Sequence, residues 1–544
     1  MNTRQLQTDK NQKLYHALLG ILLVCALAMM MLLSYWACKY SYYGAVDGRT
    51  RGVLVGDKTW AHIAVFLAAS LCTMGIDKVL MKKDKSQQEK ICLCTLIVTS
   101  VIAFILGVFY VCKNPYYPVG DQINTTAFAA YCRDGNFSML SIGGYVGMYQ
   151  QQKGLAILYE ILFTLFGDFN YRPAKILHVV WWILTILAGY GFLKLNTDRP
   201  VFRMLYCVMM LGCFPLLFYL PYIYGDVLSI SFGIILFYGV AAYEHSGQKR
   251  YIALASFAAG LAVLARKNTW IVLVAVAVYV LLVSLRKKKV RYLMAGTAIL
   301  LTAALSVKAV DVIYEVRSGY PSGVGVPSIL WVAMGLQETE GRAGVYNRYQ
   351  QAIFTDYDCQ QELAAQQGKE YIRERLEEFS QDPGMAFDFF KNKLEGQWIE
   401  PMYAALESTE SFEEGAELSP VLESLYYGEL GRTIWKLTNY YQSILYLAGL
   451  MALVMLGILW WKKKEVPISL WLPWIAVFGG FLFSILWEAK SRYVFPYCVF
   501  MILYVPEGLY QTGLLLCKLP KLRKFRKSGH TQDKGEEAPL RETA

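Results

Sequence analysis

Residues 251–285 read YIALASFAAGLAVLARKNTWIVLVAVAVYVLLVSL, and this stretch decides how the chain is organised. It is apolar apart from Arg266–Asn268 at its centre, and basic residues flank it at Lys249–Arg250 and at Arg286. Because basic clusters mark the cytoplasmic side of membrane segments, the stretch must cross an even number of times. It is predicted to be a helical hairpin. At 1.5 Å per residue, each arm of about 15–17 residues is about 22–26 Å long, which is shorter than the ~30 Å hydrocarbon core. The cationic tip would then lie below the outer membrane surface, which predicts a cavity around it.

Long apolar stretches with basic flanks recur along the 544-residue chain, of which 56% is hydrophobic and 17% is charged. Such blocks are typical of membrane-spanning helices. Twelve crossings are predicted, and every basic cluster then falls on the same side as both termini, which the positive-inside rule makes cytoplasmic. The expected fold class is an all-α polytopic membrane protein. The apolar segments are 14–38, 61–81, 91–112, 174–195, 201–220, 227–243, 251–265, 269–285, 292–310, 438–461, 468–487 and 493–516.

Composition argues against several classes of protein. The formal net charge is +11, but the positive charges stand at the ends of apolar segments, so nucleic acid is not an expected partner. The twelve cysteines and five histidines form no metal-ligand motif, and a requirement for a divalent cation is left open. Cys132 and Cys359 lie in polar loops and could pair in an oxidising compartment.

The apolar segments divide the chain into five parts. These are two N-terminal transmembrane helices in 1–90, a transmembrane core in 91–310, an extracytoplasmic insert in 311–437, C-terminal transmembrane helices in 438–516, and a basic cytoplasmic tail in 517–544. The insert holds 22 acidic and 10 basic residues, a net charge of −12. Two amphipathic patterns separated by Asp382–Gly384 indicate that it is small and mainly helical.

The outer loop 113–173 combines charged residues with a short apolar stretch. Asp121 precedes a helical pattern, and Lys153 precedes the apolar residues 155–166, which are too few to span a membrane. These residues are predicted to form a juxtamembrane helix that holds the loop against the bilayer. Two ordinary structural roles remain open here: Asp121 as a helix N-cap and Lys153 as an interfacial cation.

Several short motifs follow one another along residues 91–510. They are Asp121 in the first large outer loop, QKGL at 152–155 leading to LFG at 165–167, YGD at 224–226, GLAVLARK at 260–267 and KSRYVFP at 490–496. In this order they resemble the C-type (GT-C) superfamily of membrane glycosyltransferases, in its protein-mannosyltransferase and aminoarabinose-transferase branch. Gly154 stands where that family has a proline. The helices within 14–81 precede the family's usual start, and the insert 311–437 differs from its better-known members.

The resemblance implies an inverting glycosyltransferase that moves a sugar from a polyprenyl-phosphate donor to an acceptor. Such a donor carries a good leaving group, so the enzyme needs one base and positive charge for the departing phosphate. The resemblance makes Asp121 the general base and Asp226 a second polar site. The candidate phosphate ligands are Lys153, Arg266, Lys267 and Arg492, because arginine suits bidentate contact and lysine supplies a point charge.

Each of these residues also has an ordinary structural interpretation. A cation such as Arg492 could reach towards water or pair with a carboxylate such as Glu488. Glu400 is expected to be a solvated carboxylate of the insert. An aromatic cluster could line a sugar site, and its candidate members are Tyr145, Tyr149 and Trp398.

Two other functions fit a polytopic chain with charged residues on one face. One is a transporter or flippase for a lipid-linked sugar or another envelope precursor, although half-repeats and broken helices are not evident. The other is a polymerase or ligase of envelope polysaccharides. In the favoured hypothesis the chain lies in the cytoplasmic membrane of a bacterium, with its active site on the extracytoplasmic face. Its partners are the lipid bilayer, the donor lipid, and an envelope glycan, lipid or protein as acceptor.

Overall fold

The computed structural model describes residues 3–43, 53–287, 289–323, 325–464 and 466–532, with residues 3–10 and 519–532 given by their backbone alone. The fold is built almost entirely from helices. The helices of the N-terminal half are α1 (Thr3–Lys39), α2 (Thr59–Leu80), α3 (Lys85–Lys113), α4 (Asp121–Arg133), α5 (Tyr145–Met148), α6 (Lys153–Phe166), α7 (Arg172–Asn196), α8 (Pro200–Leu211), α9 (Phe214–Phe218), α10 (Asp226–Ser246), α11 (Lys249–Ala265) and α12 (Trp270–Lys287). The helices of the C-terminal half are α13 (Val290–Ser318), α14 (Ser328–Gly335), α15 (Tyr349–Asp356), α16 (Gln361–Gln381), α17 (Pro383–Trp398), α18 (Ala405–Ser408), α19 (Pro420–Tyr427), α20 (Glu429–Trp461), α21 (Leu472–Leu486), α22 (Ser491–Met501) and α23 (Val505–Gln532).

Within the described ranges, ten helical stretches are long and apolar enough to cross a membrane. The all-α polytopic fold is therefore confirmed. The two other predicted crossings are shorter helices. Residues 201–220 divide into α8 and α9, because Pro215 cannot donate the backbone hydrogen bond that a continuous helix needs. Helix α11 has 17 residues, or roughly 25 Å at 1.5 Å per residue. The total of twelve membrane crossings stays a prediction.

The stretch 251–285 folds as two helices joined at the predicted tip. Helix α11 ends at Ala265, a 3₁₀ turn covers Lys267–Thr269, and α12 begins at Trp270. The two arms pack mainly on other helices: α11 packs on α10 and α13, whereas α12 packs on α21 and α13. Helix α10 also packs on α7, and most of its side chains are buried. The tip therefore lies beside the first residues of the most enclosed helix.

The helices on either side of the insert run past its predicted boundaries at 311 and 437, and the boundaries themselves stay a prediction. Helix α13 continues through polar residues to Ser318 and ends at Gly319, whose φ of 74° is left-handed. Helix α20 already begins at Glu429. Between them lie α14 to α19, and the Asp382 side chain caps α17 by accepting the Met385 N–H at 2.9 Å. The break between the two amphipathic patterns is thus a helix boundary.

Two short hairpins interrupt the helical fold. Strands β1 (Tyr40–Tyr43) and β2 (Val53–Gly56) are antiparallel, with Tyr40 opposite Gly56, and strands β3 (Glu338–Thr339) and β4 (Arg342–Ala343) form the second pair. The Tyr42 N–H donates to the Ile399 carbonyl at 3.0 Å. This bond ties the chain that follows α1 to the end of α17. Neither hairpin was predicted.

Two smaller expectations have outcomes in the structure. Cys132 and Cys359 are both free, so the disulfide considered for them is not formed. The basic tail predicted for 517–544 continues as helix α23 to Gln532, and residues 533–544 lie outside the described ranges.

Candidate functional site

Glycines let two helices approach the tip of the 251–285 hairpin closely. A Cβ at Gly225, just before α10, would overlap the carbonyl oxygen of Ala265. A Cβ at Gly154, in the first turn of α6, would lie 2.6 Å from the carbonyl oxygen of Leu264. Because any side chain would separate these backbones, glycine is required for the contact. The starts of α6 and α10 are thereby held against Arg266.

Two arginines share one carboxylate at this point. Asp226, the first residue of α10, is buried and forms an ion pair with Arg266. Arg492 Nε lies 3.9 Å from the same carboxylate oxygen. In the described part of the chain, neither Arg492 Nε nor Asp226 Oδ2 has a hydrogen-bond partner. Two positive charges and one negative charge therefore meet in a poorly solvated place, which favours binding of an additional anion.

Tyrosine rings surround the two guanidinium groups. Arg266 lies 5.5 Å from the ring centre of Tyr224, and Arg492 lies 5.3 Å from the same ring. Tyr493 faces both arginines at 5.4 Å, and Tyr222 accepts a hydrogen bond from Arg492 Nη1. Aromatic faces stabilise guanidinium groups by cation–π attraction without neutralising them. The cluster therefore keeps its positive charge available to a ligand.

An apolar cleft opens below the arginines. We call it the arginine cleft, and it is partly open to solvent. Arg266, Arg492, Asn268 and Thr269 lie at its polar end, and the rest of its wall is formed by Ser229, Val272, Tyr493, Pro496, Tyr497 and Phe500. A cleft with cations at one end and mostly apolar walls suits a ligand with an anionic head and an apolar chain.

Asp121 is the first residue of α4 and is exposed. Gly120, with φ of 58°, occupies the N-cap position, so the alternative of Asp121 as the N-cap residue is wrong. Its carboxylate instead accepts a hydrogen bond from Tyr145 Oη at 2.8 Å. One carboxylate oxygen is oriented by this bond, which leaves the other able to accept a proton.

Electrostatic effects connect Asp121 with the arginine cluster. Glu488 lies between α21 and α22 and is buried, with Tyr493 Oη donating to it at 3.3 Å. Burial raises the pKa of Glu488 to about 7, against the opposing charge of Lys490. The charge of Asp121 adds to this rise in pKa, and the charge of Arg266 reduces it. Asp121 and Arg266 therefore both lie close enough to Glu488 to change its pKa.

Two of the predicted phosphate ligands, Lys153 and Lys267, do not line the arginine cleft. Lys153 is buried, and its ammonium group pairs with Asp311 at 2.5 Å and donates to Ser322 Oγ at 2.7 Å. Its charge is thus balanced by α13. Lys267 opens the 3₁₀ turn at the tip, with an exposed side chain. The phosphate-binding roles of both lysines stay predictions.

The aromatic residues near Asp121 differ from those expected. Tyr145 and Tyr149 do lie together, with ring centres 5.2 Å apart. Trp398 is fully buried and donates through its indole nitrogen to Ser484 Oγ at 3.0 Å, so its predicted place in a sugar site is wrong. Trp331 takes the position beside Tyr149 instead, at 6.1 Å. It stacks on Trp487, the residue before Glu488, at 6.0 Å.

Glu400 is buried, which overturns the expectation of a solvated carboxylate. It accepts the N–H groups of Met402 at 2.8 Å and Ala404 at 2.5 Å, and the hydroxyl of Ser491 at 3.0 Å. Burial raises the pKa of Glu400, and the neighbouring charge of Glu407 adds to the rise. Because Ser491 precedes Arg492, Glu400 fixes the start of α22 where the arginine cluster begins.

Sequence reasoning missed the tyrosines and Glu488 as parts of the site. The motif PYIYGD at 221–226 places two tyrosines within four residues of Asp226, and this spacing was the available signal. Glu488 was considered only as a partner for Arg492, whereas the carboxylate that Arg492 approaches is that of Asp226. Within the described ranges, no group of three or more histidine, cysteine, aspartate or glutamate side chains is arranged to hold a metal ion.

Comparisons with protein-family models, with curated proteins and with solved structures found no match for this chain. The resemblance based on the ordered motifs therefore stays a prediction.

Proposed function

We propose that this chain is a membrane glycosyltransferase of the GT-C type, which moves a sugar from a polyprenyl-phosphate donor to an acceptor. The observation that carries the proposal is the arginine cleft. Its two arginines share one buried carboxylate and stand at the head of an apolar groove. The phosphate of the donor would supply the missing negative charge, and its polyprenyl chain would lie along Val272, Pro496 and Phe500.

In this mechanism the arginines stabilise the leaving group. The bond between the anomeric carbon and the phosphate oxygen breaks, and polyprenyl phosphate leaves with the bonding electron pair. Its charge rises as the bond breaks, so fixed guanidinium groups stabilise the transition state more than the ground state. A general acid is not needed, because phosphate leaves as a stable anion. Asp226 holds Arg266 in place rather than taking part in the chemistry.

Asp121 is the proposed base. An acceptor hydroxyl attacks the anomeric carbon from the face opposite the phosphate, and its proton passes to the Asp121 carboxylate. A single attack of this kind inverts the anomeric centre. Tyr145 orients the carboxylate through its 2.8 Å hydrogen bond, and the wall of Tyr149 and Trp331 supplies apolar faces for a sugar ring.

The proposed setting is the cytoplasmic membrane of a bacterium. With twelve crossings and both termini in the cytoplasm, Asp121, Arg266 and Arg492 all fall on the extracytoplasmic side. The donor would reach the arginine cleft from the outer leaflet. The acceptor is an envelope glycan, lipid or protein.

The proposal is tested by Asp121→Asn in proteoliposomes that contain a polyprenyl-phosphate sugar and envelope fractions as acceptors. Lipids that copurify with the protein, identified by mass spectrometry, select the donor. Transfer is measured with radiolabelled sugar. General-base catalysis contributes roughly 10²–10⁴-fold, so transfer should fall by about that factor while donor binding is retained.

Asp134→Asn is the matched control, because Asp134 is exposed at the other end of α4. It should transfer sugar like the unchanged protein. Normal turnover in Asp121→Asn would refute the proposed mechanism. Movement of labelled donor across the bilayer without any transfer, in either variant, would favour the flippase alternative.

A further inference from the structure

Two large cavities lie between the insert and the membrane helices, on the other side of residues 490–493 from the arginine cleft. The first, here the insert cavity, has a volume of about 370 Å³, and the second, here the aromatic cavity, has a volume of about 310 Å³. Glu400, Ala404 and Glu407 line both. The two spaces thus meet at a pair of carboxyl groups. Ordinary ligand pockets enclose about 300–1,000 Å³, so each of the two spaces is of ligand size, and the joined space offers room for a longer ligand.

The insert cavity contains buried polar atoms without partners. Glu395 and Gln397 lie on α17, line the cavity and are 3% and 1% exposed. Among the described residues, Glu395 Oε1 and Gln397 Oε1 have no hydrogen-bond partner. A buried acceptor left unpaired costs about 1–3 kcal/mol. Hydroxyl groups of a ligand would satisfy both oxygens.

The aromatic cavity offers ring faces and an unpaired donor. Trp435 and Tyr43 pack edge to face at 5.1 Å, and both line the cavity with Tyr426 and Tyr427. Trp435 Nε1 is buried without a partner in the described structure. Sugar rings combine an apolar face, which packs on aromatic rings, with hydroxyl groups that donate and accept hydrogen bonds. The aromatic rings and the unpaired indole N–H of this cavity therefore match the surface of a sugar ring.

The charges of the two cavities are balanced. By formal charge, four acidic and four basic side chains line the two cavities. The acidic residues are Glu395, Glu400, Glu407 and Glu410, and the basic residues are Arg342, Lys393, Arg432 and Lys490. The insert around them is strongly acidic. A polyanionic chain would be repelled by the insert, whereas an uncharged polyol would not.

The insert cavity lies next to the arginine cleft along the chain. Lys490 and Ser491 line it, while the next two residues, Arg492 and Tyr493, line the arginine cleft. The first turn of α22 therefore separates the two spaces. A chain lying in the cavities would end within one helical turn of the arginine cleft.

We propose that the insert cavity and the aromatic cavity together form the acceptor groove, and that the acceptor is an extended, uncharged glycan chain. The role of the groove as an acceptor site rests on the proposed function. Its binding of a glycan does not depend on that function. The chain would lie over Tyr43 and Trp435, pass the Glu400–Glu407 pair, and end at Lys490.

The test is direct binding of glycans to the full-length protein in detergent micelles, without donor. The probes are neutral linear hexasaccharides of varied sugar and linkage on an array, the matching disaccharides, poly(glycerol phosphate), and vesicles of anionic lipid. A hexasaccharide should bind at least about tenfold tighter than its disaccharide, because only the longer chain reaches both cavities. Glu407→Gln and Trp435→Leu should each weaken this binding by about tenfold.

Glu417→Gln is the control, since Glu417 is exposed in the same insert. Thermal melting checks that each variant is folded. Asp121→Asn should bind the hexasaccharide normally, so a failure of the proposed transfer chemistry stays distinguishable from a failure of the groove. The proposal is overturned if no hexasaccharide binds, if both groove variants bind it unchanged, or if poly(glycerol phosphate) or the vesicles bind in its place.

Discussion

Two charge clusters with the same number of cations and carboxylates occur at opposite ends of the helices. At the turn between α7 and α8, Glu89 contacts Arg203 at 2.5 Å and Lys194 at 3.2 Å. At the hairpin tip, Asp226 contacts Arg266 and, at 3.9 Å, Arg492. Each cluster has two cations and one carboxylate.

The clusters differ in where the excess charge lies. The side chains of Lys194 and Glu89 are 59% and 48% exposed, so water screens the extra charge. The side chains of Asp226 and Arg492 are 2% and 6% exposed. An unbalanced charge is tolerated in such a place when a ligand of opposite charge completes it. Exposure, rather than the number of charges, separates a structural ion cluster from a candidate anion site.

The largest effect is expected from removing the buried carboxylate. Asp226→Asn leaves two arginines together without a counter-ion, and breaking a buried ion pair in this way costs about 3–5 kcal/mol. At the opposite end, Asp77→Asn removes the partner of Arg199, which is 39% exposed and can turn to water, so the loss should be about 1 kcal/mol. Thermal unfolding in one detergent measures both. Equal losses would contradict the distinction between a buried ion pair and one whose cation reaches water.

Arg492 provides the next test, through ligand binding instead of stability. Arg492→Met should weaken binding of polyprenyl phosphate about 100-fold, since about 1.4 kcal/mol corresponds to a factor of ten and a charged hydrogen-bonded contact is lost. The affinity of Arg492→Lys for polyprenyl phosphate should lie between those of the unchanged protein and Arg492→Met, because lysine keeps the charge but lacks the bidentate geometry. Arg203→Met, the matched change at an equally buried arginine whose partner Glu89 is 48% exposed, should leave binding unchanged. Quenching of tryptophan fluorescence by the lipid follows all three, and a loss in Arg203→Met would show that the effect is not specific to the cleft.

A smaller effect is expected from the glycines that hold the tip. Gly225→Ala places a methyl group against the Ala265 carbonyl, and overpacking of this kind costs about 1–3 kcal/mol. Gly75 lies in α2 with nothing within 4 Å of an added Cβ, so Gly75→Ala should stabilise the helix by about 0.5–1 kcal/mol. Opposite shifts of the melting midpoint are therefore expected. Donor binding should fall only in Gly225→Ala, because only there does Arg266 move.

The sequence predicts the helical framework better than it predicts the site. The apolar stretch 251–285 and its tip at Arg266 follow from hydropathy and basic flanks, because lipid imposes those patterns on each segment separately. The sharing of Asp226 by Arg266 and Arg492 joins residues far apart in the chain, and no local pattern encodes it. The prediction that Trp398 lines a sugar site was wrong for the same reason, because the position of Trp398 depends on a contact with a residue distant in the chain. Its burial depends on Ser484, which belongs to another helix.

The last effect concerns pH and the buried carboxyl of the site. Burial raises the pKa of Glu488 from its ordinary 4.5 to about 7, so the folded protein holds this proton more tightly than the unfolded chain does. The free energy of unfolding should therefore fall as pH rises through this interval and become level above it. Glu488→Gln removes this pH dependence. The melting midpoint of this variant, relative to that of the unchanged protein, should therefore be higher at about pH 8 than at about pH 5.

The control is Glu429→Gln, at a side chain that is 82% exposed, and its melting midpoint should equal that of the unchanged protein at both pH values. If Glu488→Gln tracks it too, then Glu488 is ionised and hydrated in the folded state. The site would then be open to water, and the contrast with the solvated cluster at Glu89 would disappear.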